Sequence, residues 1–239
     1  SLTFSGGLHR HWYTAIGDQD TQRYNFTLDE VAIWNISLSS DKIAEHAGAK
    51  IIDYSQYGNN GTRFSNITSD FGRNFTDGKF SKALLFDGVN DYVSVNNSQA
   101  LRMGRDVISI VSWIKPNLNR VTFDRILEKD GPDGNRGYQI GIDSNNKLYA
   151  TFTPCDGVGG SGADFANNSH LSDNEWNHIA LTYNGTIITF YRNGKEDAKY
   201  NYQNGFCNDT RNNNSLNIGN DDGTADRAFN GTIDELAIW

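Results

Sequence analysis

Residues Leu171–Lys195 read LSDNEWNHIALTYNGTIITFYRNGK. Two apolar runs, Trp176–Tyr183 and Thr186–Arg192, flank Asn184-Gly185, and Asn193-Gly194 closes the second run. Asn-Gly tolerates the positive φ angles of tight hairpin turns, so the stretch predicts an antiparallel meander through residues 176–200. Alternation of apolar and polar residues within each run is the mark of a strand with one buried face.

Working outward, further strand patterns stand at Leu84–Val95, Val107–Lys115, Arg125–Lys129, Tyr138–Asp143, Lys147–Thr153, Ser215–Gly219 and Thr232–Trp239. The Gly-rich stretch Asp156–Ser169 has no strand period and predicts a long exposed loop. One helix is expected, Ser39–Ala47, with a capping Ser-Ser-Asp start and Gly48 as its stop. Many short strands with regular turn signals, 24 Gly and only 3 Pro predict an all-β antiparallel sandwich or jelly roll.

The formal net charge is −8 over 239 residues, with no Lys/Arg stripe. Such a surface does not neutralise phosphates, which argues against nucleic acid or anionic membrane as a partner. No apolar run reaches the roughly 20 residues of a membrane span. The chain begins Ser-Leu-Thr-Phe, without Met or signal pattern, and reads as processed or as a fragment. Asn-x-Ser/Thr acceptor patterns occur at Asn25, Asn35, Asn60, Asn66, Asn74, Asn96, Asn167, Asn184, Asn208, Asn213 and Asn230, well above chance pairing of these residue types. They predict an extracellular or cell-surface protein carrying N-linked glycans. Cys155 and Cys207 permit one disulfide, although two buried thiols would read the same way.

The chain repeats itself. Ser1–Phe4 matches Ser215–Ile218, and YNFTLDEVAIW (Tyr24–Trp34) matches AFNGTIDELAIW (Ala228–Trp239), 205 residues from one closing Trp to the other. DYSQYGNNGT (Asp53–Thr62), GKFSKALLFDGVNDYVSV (Gly78–Val95), ISIVSWIKP (Ile108–Pro116), the opening stretch and the closing FNGTIDELAIW together resemble the laminin-G-like, concanavalin A-like lectin/glucanase jelly-roll domains. That resemblance covers nearly all of 50–239. It divides the chain into 1–35, the last two strands of a preceding or partner unit; 36–49, a linker helix; and 50–239, a complete jelly roll. A two-stranded piece is marginal alone and its edges seek a neighbour. Residues Ser1–Trp34 therefore pair onto their own domain, finish a preceding repeat, or join another copy head-to-tail.

Several groups of residues are candidates for chemistry. Glu128, Asp130 and Asp133 lie close together, but Gly131-Pro132 should end the strand before a paired-acid site could form, so no catalytic residue is assigned and no enzyme is expected. His9 and His11 alternate, and His46, His170 and His178 are scattered. Calcium is implied by the resemblance, with Asp87, Asp91 and Asp234 at the matching acidic positions and Asn220–Asp226 as a second loop. Trp12 and Tyr13, and Tyr200 and Tyr202, form aromatic clusters suited to a partner contact or a sugar, whereas Trp113, Trp176 and Trp239 read as core. The expected role is a structural, glycosylated repeat unit or subunit of a surface filament or adhesin, with a carbohydrate-binding lectin module as the alternative and a glycan-active enzyme third.

Overall fold

A computed structural model of the protein describes residues 50–64, 75–80, 82–102, 107–119, 123–129, 137–153, 163–204, 214–220 and 227–239, with the short stretches 3–4, 18–19, 22–23, 32–33 and residue 37. The chain divides into two compact units, Ser1–His46 and Ala47–Trp239. The expected helix Ser39–Ala47 lies outside the described residues.

In the first unit β1 (Thr3–Phe4) pairs in parallel with β4 (Ala32–Ile33), and β2 (Asp18–Gln19) pairs antiparallel with β3 (Gln22–Arg23). The second unit is an antiparallel sandwich. One sheet has seven strands in the order β17 (Lys195–Asn201), β16 (Ile187–Arg192), β15 (Asn177–Tyr183), β10 (Ile108–Pro116), β19 (Asn230–Ile238), β8 (Lys82–Asp87) and β7 (Phe75–Asp77). The other has eight, in the order β14 (Ala163–His170), β13 (Lys147–Phe152), β12 (Tyr138–Ile142), β11 (Asp124–Lys129), β18 (Leu216–Ile218), β9 (Tyr92–Val95), β6 (Gly61–Phe64) and β5 (Lys50–Ile51).

The predicted meander is present. Arg192 pairs with Lys195, and Asn193 and Gly194 between them both have positive φ, the type I′ pattern. The other turn shifts by one residue. Asn184 N–H bonds Ile187 O, and Gly185, at φ +90, takes the first of the two central positions. Alternation also holds on β10, where Ile108, Ile110, Ser112 and Ile114 are buried and the residues between them are not.

Three expectations change. The run Leu84–Val95 is two strands, because the chain turns at 88–91 and carries β8 and β9 into opposite sheets. Asp87 Oδ1 accepts the Val89 N–H at 2.8 Å, and Asp91 Oδ2 accepts the Asp87 N–H at 3.1 Å, so the acids build the turn. The expected loop Asp156–Ser169 becomes strand from Ala163 onward. And the repeated strand pair behaves differently in its two copies. β18 and β19 lie in opposite sheets, each between its own neighbours, whereas the matching residues Thr3–Phe4 and Ala32–Ile33 pair with each other. Strand edges without sheet neighbours satisfy their backbone groups on whatever strand is available.

Between the sheets lies one apolar core built from Phe86, Ile110, Ile114, Leu127, Ile140, Leu181, Phe190 and Phe229, among others. Its flank between β14 and β17 is closed by aromatic rings. Phe165 lies 5.3 Å from both Tyr200 and Tyr202, and Phe152 lies 5.5 Å from Tyr183. Tyr200 Oη donates to Ala166 O at 2.5 Å, and Ser169 Oγ donates to Asp197 Oδ1 at 2.6 Å. At the end of β11, Lys129 is fully buried and donates to Asn97 Oδ1 (2.9 Å) and Asn214 O (2.6 Å). Burial, with the Arg102 charge adding to it, pushes its pKa down to about 8 from 10.5.

Two outcomes follow. Tyr202→Ala should cost about 3–5 kcal/mol in urea unfolding, the range for a deleted core aromatic. In the second, the unfolded chain binds more protons than the folded one between the folded pKa of about 8 and the unfolded value of 10.5, so the Lys129 contribution makes stability rise with pH across that window. Tyr138, pushed up by burial, acts in the opposite sense above its ordinary value of 10.0 but is common to both proteins compared. Unfolding midpoints of Lys129→Met should lose the rising slope; an identical slope in the variant contradicts the assignment.

Candidate functional site

The face of the eight-stranded sheet turned away from the core carries the site, and a β-bulge in β11 shapes it. Arg125 pairs with Gly141 and Leu127 with Ile140, so Ile126 is an extra residue on β11. Residues three apart on a regular strand point to opposite faces; the inserted residue puts Arg125 and Glu128 on the same one. Ile126 and Leu127 both enter the core at 0% exposure, and the Ile126 carbonyl accepts the Gly219 N–H at 3.0 Å. Outside, Arg125 Nε donates to Glu128 Oε2 at 2.9 Å, an ion pair whose side chains are 7% and 9% exposed.

Glu128 belongs to a row that crosses the whole sheet. The pairing places Lys50, Thr62, Ser94, Asn217, Glu128, Gln139, Thr151 and Asp164 side by side, one from each strand. All are polar. Thr62 and Asp164 are exposed, Ser94 and Asn217 half-buried, and Glu128, Gln139 and Thr151 buried. Hydrogen bonds orient the row. Thr151 Oγ1 donates to the Asp164 carboxylate at 2.5 Å, and Gln139 Nε2 donates to Thr151 Oγ1 at 2.6 Å. A carboxylate only accepts, so the chain runs one way and leaves Gln139 Oε1 at its far end. Gln139 Oε1, Asn217 Oδ1 and Tyr149 Oη are buried without a hydrogen-bond partner. Buried polar atoms are rarely left so; on this one face two are amide oxygens, which accept, and the third is the Tyr149 hydroxyl, which both donates and accepts.

Aromatic pairs flank the row. Tyr149 lies over Gly141, where a Cβ would come within 2.7 Å of its ring and 2.2 Å of Asp124 O. The Arg125 guanidinium is 5.6 Å from the Tyr149 ring, and Phe123, 51% exposed, meets it edge-on at 5.6 Å. Two residues along β9 from Ser94, Tyr92 stacks on the exposed Phe64 at 4.7 Å.

A family model described as the concanavalin A-like lectin/glucanases superfamily matches residues 87–239. The chain belongs to this superfamily. The motif resemblance reaches further toward the N-terminus than the matched region, and β5 to β8 there complete the concanavalin A-like sheets. No curated protein matches in sequence. Solved structures of similar fold include the binding domain of Paraclostridial Mosquitocidal Protein 1, at 16% identity and TM-score 0.59 over 80% of this chain and 48% of that one. Another is the Ruminococcus gnavus IT-sialidase CBM40, at 13% identity and TM-score 0.52 over 66% and 89%. A third is a structure of botulinum neurotoxin type C, whose cell entry depends on interaction with two ganglioside molecules, at 17% identity and TM-score 0.54 over 82% and 49%. The chain thus spans about half the length of the two toxin chains.

The sequence-predicted residues are distributed elsewhere on the concanavalin A-like frame. Tyr202 is 6% exposed and Tyr200 is half-buried in the aromatic flank, so neither offers a free platform. Trp12 and Tyr13 lie outside the described residues, as do Cys155, Cys207, Asp130, Asp133 and the loop 221–226. The calcium set does not assemble. Asn230 pairs with Asp87 and Ile233 with Leu84, which places Asp234 beside Ala83, four residues or about 13 Å along β8 from Asp87. Among the described residues no three acidic, His or Cys side chains form a metal cluster. Asp234 is occupied instead: Oδ2 accepts the Phe80 N–H at 3.0 Å and Oδ1 the Glu235 N–H at 2.9 Å. That bond straps residues 78–80 over the outward face of Trp113, with Lys79 Nζ 4.5 Å from its ring, so Trp113 is not core; Trp239 is 64% exposed. Of the acceptor asparagines, Asn96 and Asn184 are exposed, Asn60 and Asn230 half-buried, and Asn167 buried at 3%. Asn167 is therefore not an accessible acceptor. Asn25, Asn35, Asn66, Asn74, Asn208 and Asn213 lie outside the described residues.

The row itself went unread in the sequence. Gln139, Thr151 and Asn217 sit at alternate positions of strand patterns, the ordinary look of a solvated face. Arg125→Met takes a compensating charge away from a buried carboxylate, so it should destabilise by about 3–5 kcal/mol, and adding Glu128→Leu should restore most of the loss. Chemical denaturation of the single and double variants measures both.

Proposed function

We propose that the protein is a carbohydrate-binding module that holds a neutral glycan along the polar row of its eight-stranded sheet. The observation that carries this reading is the set of partnerless polar atoms, Gln139 Oε1, Asn217 Oδ1 and Tyr149 Oη, on one face. A sugar hydroxyl both donates and accepts, so it matches two amide oxygens and a phenol, whereas a carboxylate, which only accepts, does not match the amide oxygens. Arg125 is committed to Glu128, so its guanidinium is not offered to an anionic sugar. Phe123 and Phe64 add the exposed rings against which sugar C–H faces pack. The ganglioside dependence belongs to the neurotoxin and supports only the plausibility of sugar recognition on this fold. Glu128, held in its ion pair, is not placed as a free acid, so the reading is binding rather than hydrolysis. An extracellular or surface setting accords with it.

A second reading, head-to-tail assembly through Ser1–Trp34, is favoured by the repeated strands. Their counterparts β18 and β19 occupy opposite sheets of one sandwich, so the leading copies need a sandwich to complete. Regular fibres in electron micrographs of native material would support it; dispersed single particles would reject it.

The binding reading predicts signal for neutral glycans on a glycan array. In titration calorimetry, Gln139→Leu and Phe123→Ala should each weaken binding about tenfold, which corresponds to about 1.4 kcal/mol. Thermal melts of both variants establish that they remain folded. No binding to any neutral glycan, or unchanged affinity in both folded variants, rejects the site.

A further inference from the structure

We infer that, among the described acceptors, the sandwich carries N-linked glycans clustered at one end: Asn60, Asn96 and Asn184 are modified together there, Asn230 stands at the opposite end, and Asn167 stays bare. The inference does not rest on the sugar-binding reading.

The topology supplies the polarity. β9 ends at Val95, and Asn96 follows as an exposed residue. Val95 pairs with Gly61, so Asn60, just before β6, lies at the same strand end. Gly231 pairs with Pro116 and Asn230 with Asp87, so β10 ends beside the β8–β9 turn and starts, at Ile108, toward the Val95 end; Ile108 pairs with Tyr183, so Asn184 in the β15–β16 hairpin shares that end. Asn230 pairs with Asp87, where β8 turns toward Tyr92 at the far end of β9.

Side-chain geometry supplies a second, independent argument. Asn184 Oδ1 accepts three bonds, from Thr186 N–H (3.1 Å), Thr186 Oγ1 (3.0 Å) and Ile187 N–H (2.8 Å). Asn60 Oδ1 accepts the Asp53 N–H at 2.9 Å. In both turns the carbonyl oxygen is anchored and the amide nitrogen is the end left to react. Asn167 is the reverse case. It is 3% exposed on β14, a strand that the Ser169 hydroxyl ties to Asp197 of β17 at 2.6 Å. A glycan on Asn167 would hold β14 off β17.

The donor is a polyprenyl-pyrophosphate-linked oligosaccharide, supplied by a transferase. The asparagine Nδ2 bonds to the anomeric carbon of the first sugar, the bond from that carbon to the pyrophosphate breaks, and Nδ2 loses a proton as the polyprenyl pyrophosphate leaves. No oxidation is involved.

The test is peptide mass spectrometry of protein from its native source, deglycosylated by peptide-N-glycosidase in heavy-oxygen water. Each occupied Asn becomes heavy-labelled Asp. A sample without enzyme controls for spontaneous deamidation of Asn60-Gly61, Asn184-Gly185 and Asn230-Gly231. Enzyme-dependent label on most copies of Asn60, Asn96 and Asn184, with unlabelled Asn167, is the expected result. Label on fewer than two of those three, or any enzyme-dependent label on Asn167, overturns the inference. Thr186→Ala, at an exposed hydroxyl, should abolish label on Asn184 alone; persistence there would show that the label does not report this modification.

Discussion

One inserted residue organises the eight-stranded sheet. Because Ile126 has no partner on β12, the chain of β11 turns over locally, and two consecutive apolar side chains reach the core. The same step brings Arg125 and Glu128 onto the outer face, close enough to pair. In a regular strand, one of these charges would project into the apolar interior without a partner, at a cost that the sandwich could not bear. The bulge reconciles the ion pair with the core, and Gly219 closes the arrangement by bonding the Ile126 carbonyl.

Acidic residues elsewhere serve the backbone. Asp87 and Asp91 build the turn that sends the chain from one sheet to the other, and Asp234 fastens residues 78–80 across Trp113. Gly78 is required beneath that strap, since a Cβ there would lie 2.5 Å from Asp234 Oδ2. A carboxylate accepting backbone N–H groups performs structural work that, in the sequence alone, is indistinguishable from readiness for a cation. The separation of Asp234 from Asp87 along β8 keeps these two carboxylates from sharing one site.

The outer face differs from an ordinary solvated sheet in how deeply its centre is buried. Glu128, Gln139 and Thr151 are polar, hydrogen-bonded and nearly inaccessible, while the rims at Thr62 and Asp164 meet water. Such a network is rigid when satisfied and expensive when one member is lost. The bond from Gln139 Nε2 to Thr151 fixes Gln139 Oε1 in place, a preorganisation that favours recognition of a ligand with a matching donor.

The sequence by itself determined the strand character of most of the second unit, the two Asn-Gly hairpins, the closing repeat and the superfamily. All of these are local signals: period-two alternation, turn residues with positive φ, and motifs read in order. It grouped Asp234 with Asp87 and Asp91, read Tyr200 and Tyr202 as exposed and Trp113 as core, and it passed over Gln139, Thr151, Asp164 and Asn217. The reason is physical. Alternation states that a residue faces one side or the other, but not which strand lies next to it or at what register. Only strand pairing sets Asp164, Thr151, Gln139 and Glu128 in one line, only the bulge at Ile126 puts Arg125 beside Glu128, and only the change of sheet at residues 88–91 separates what the sequence writes as one continuous strand.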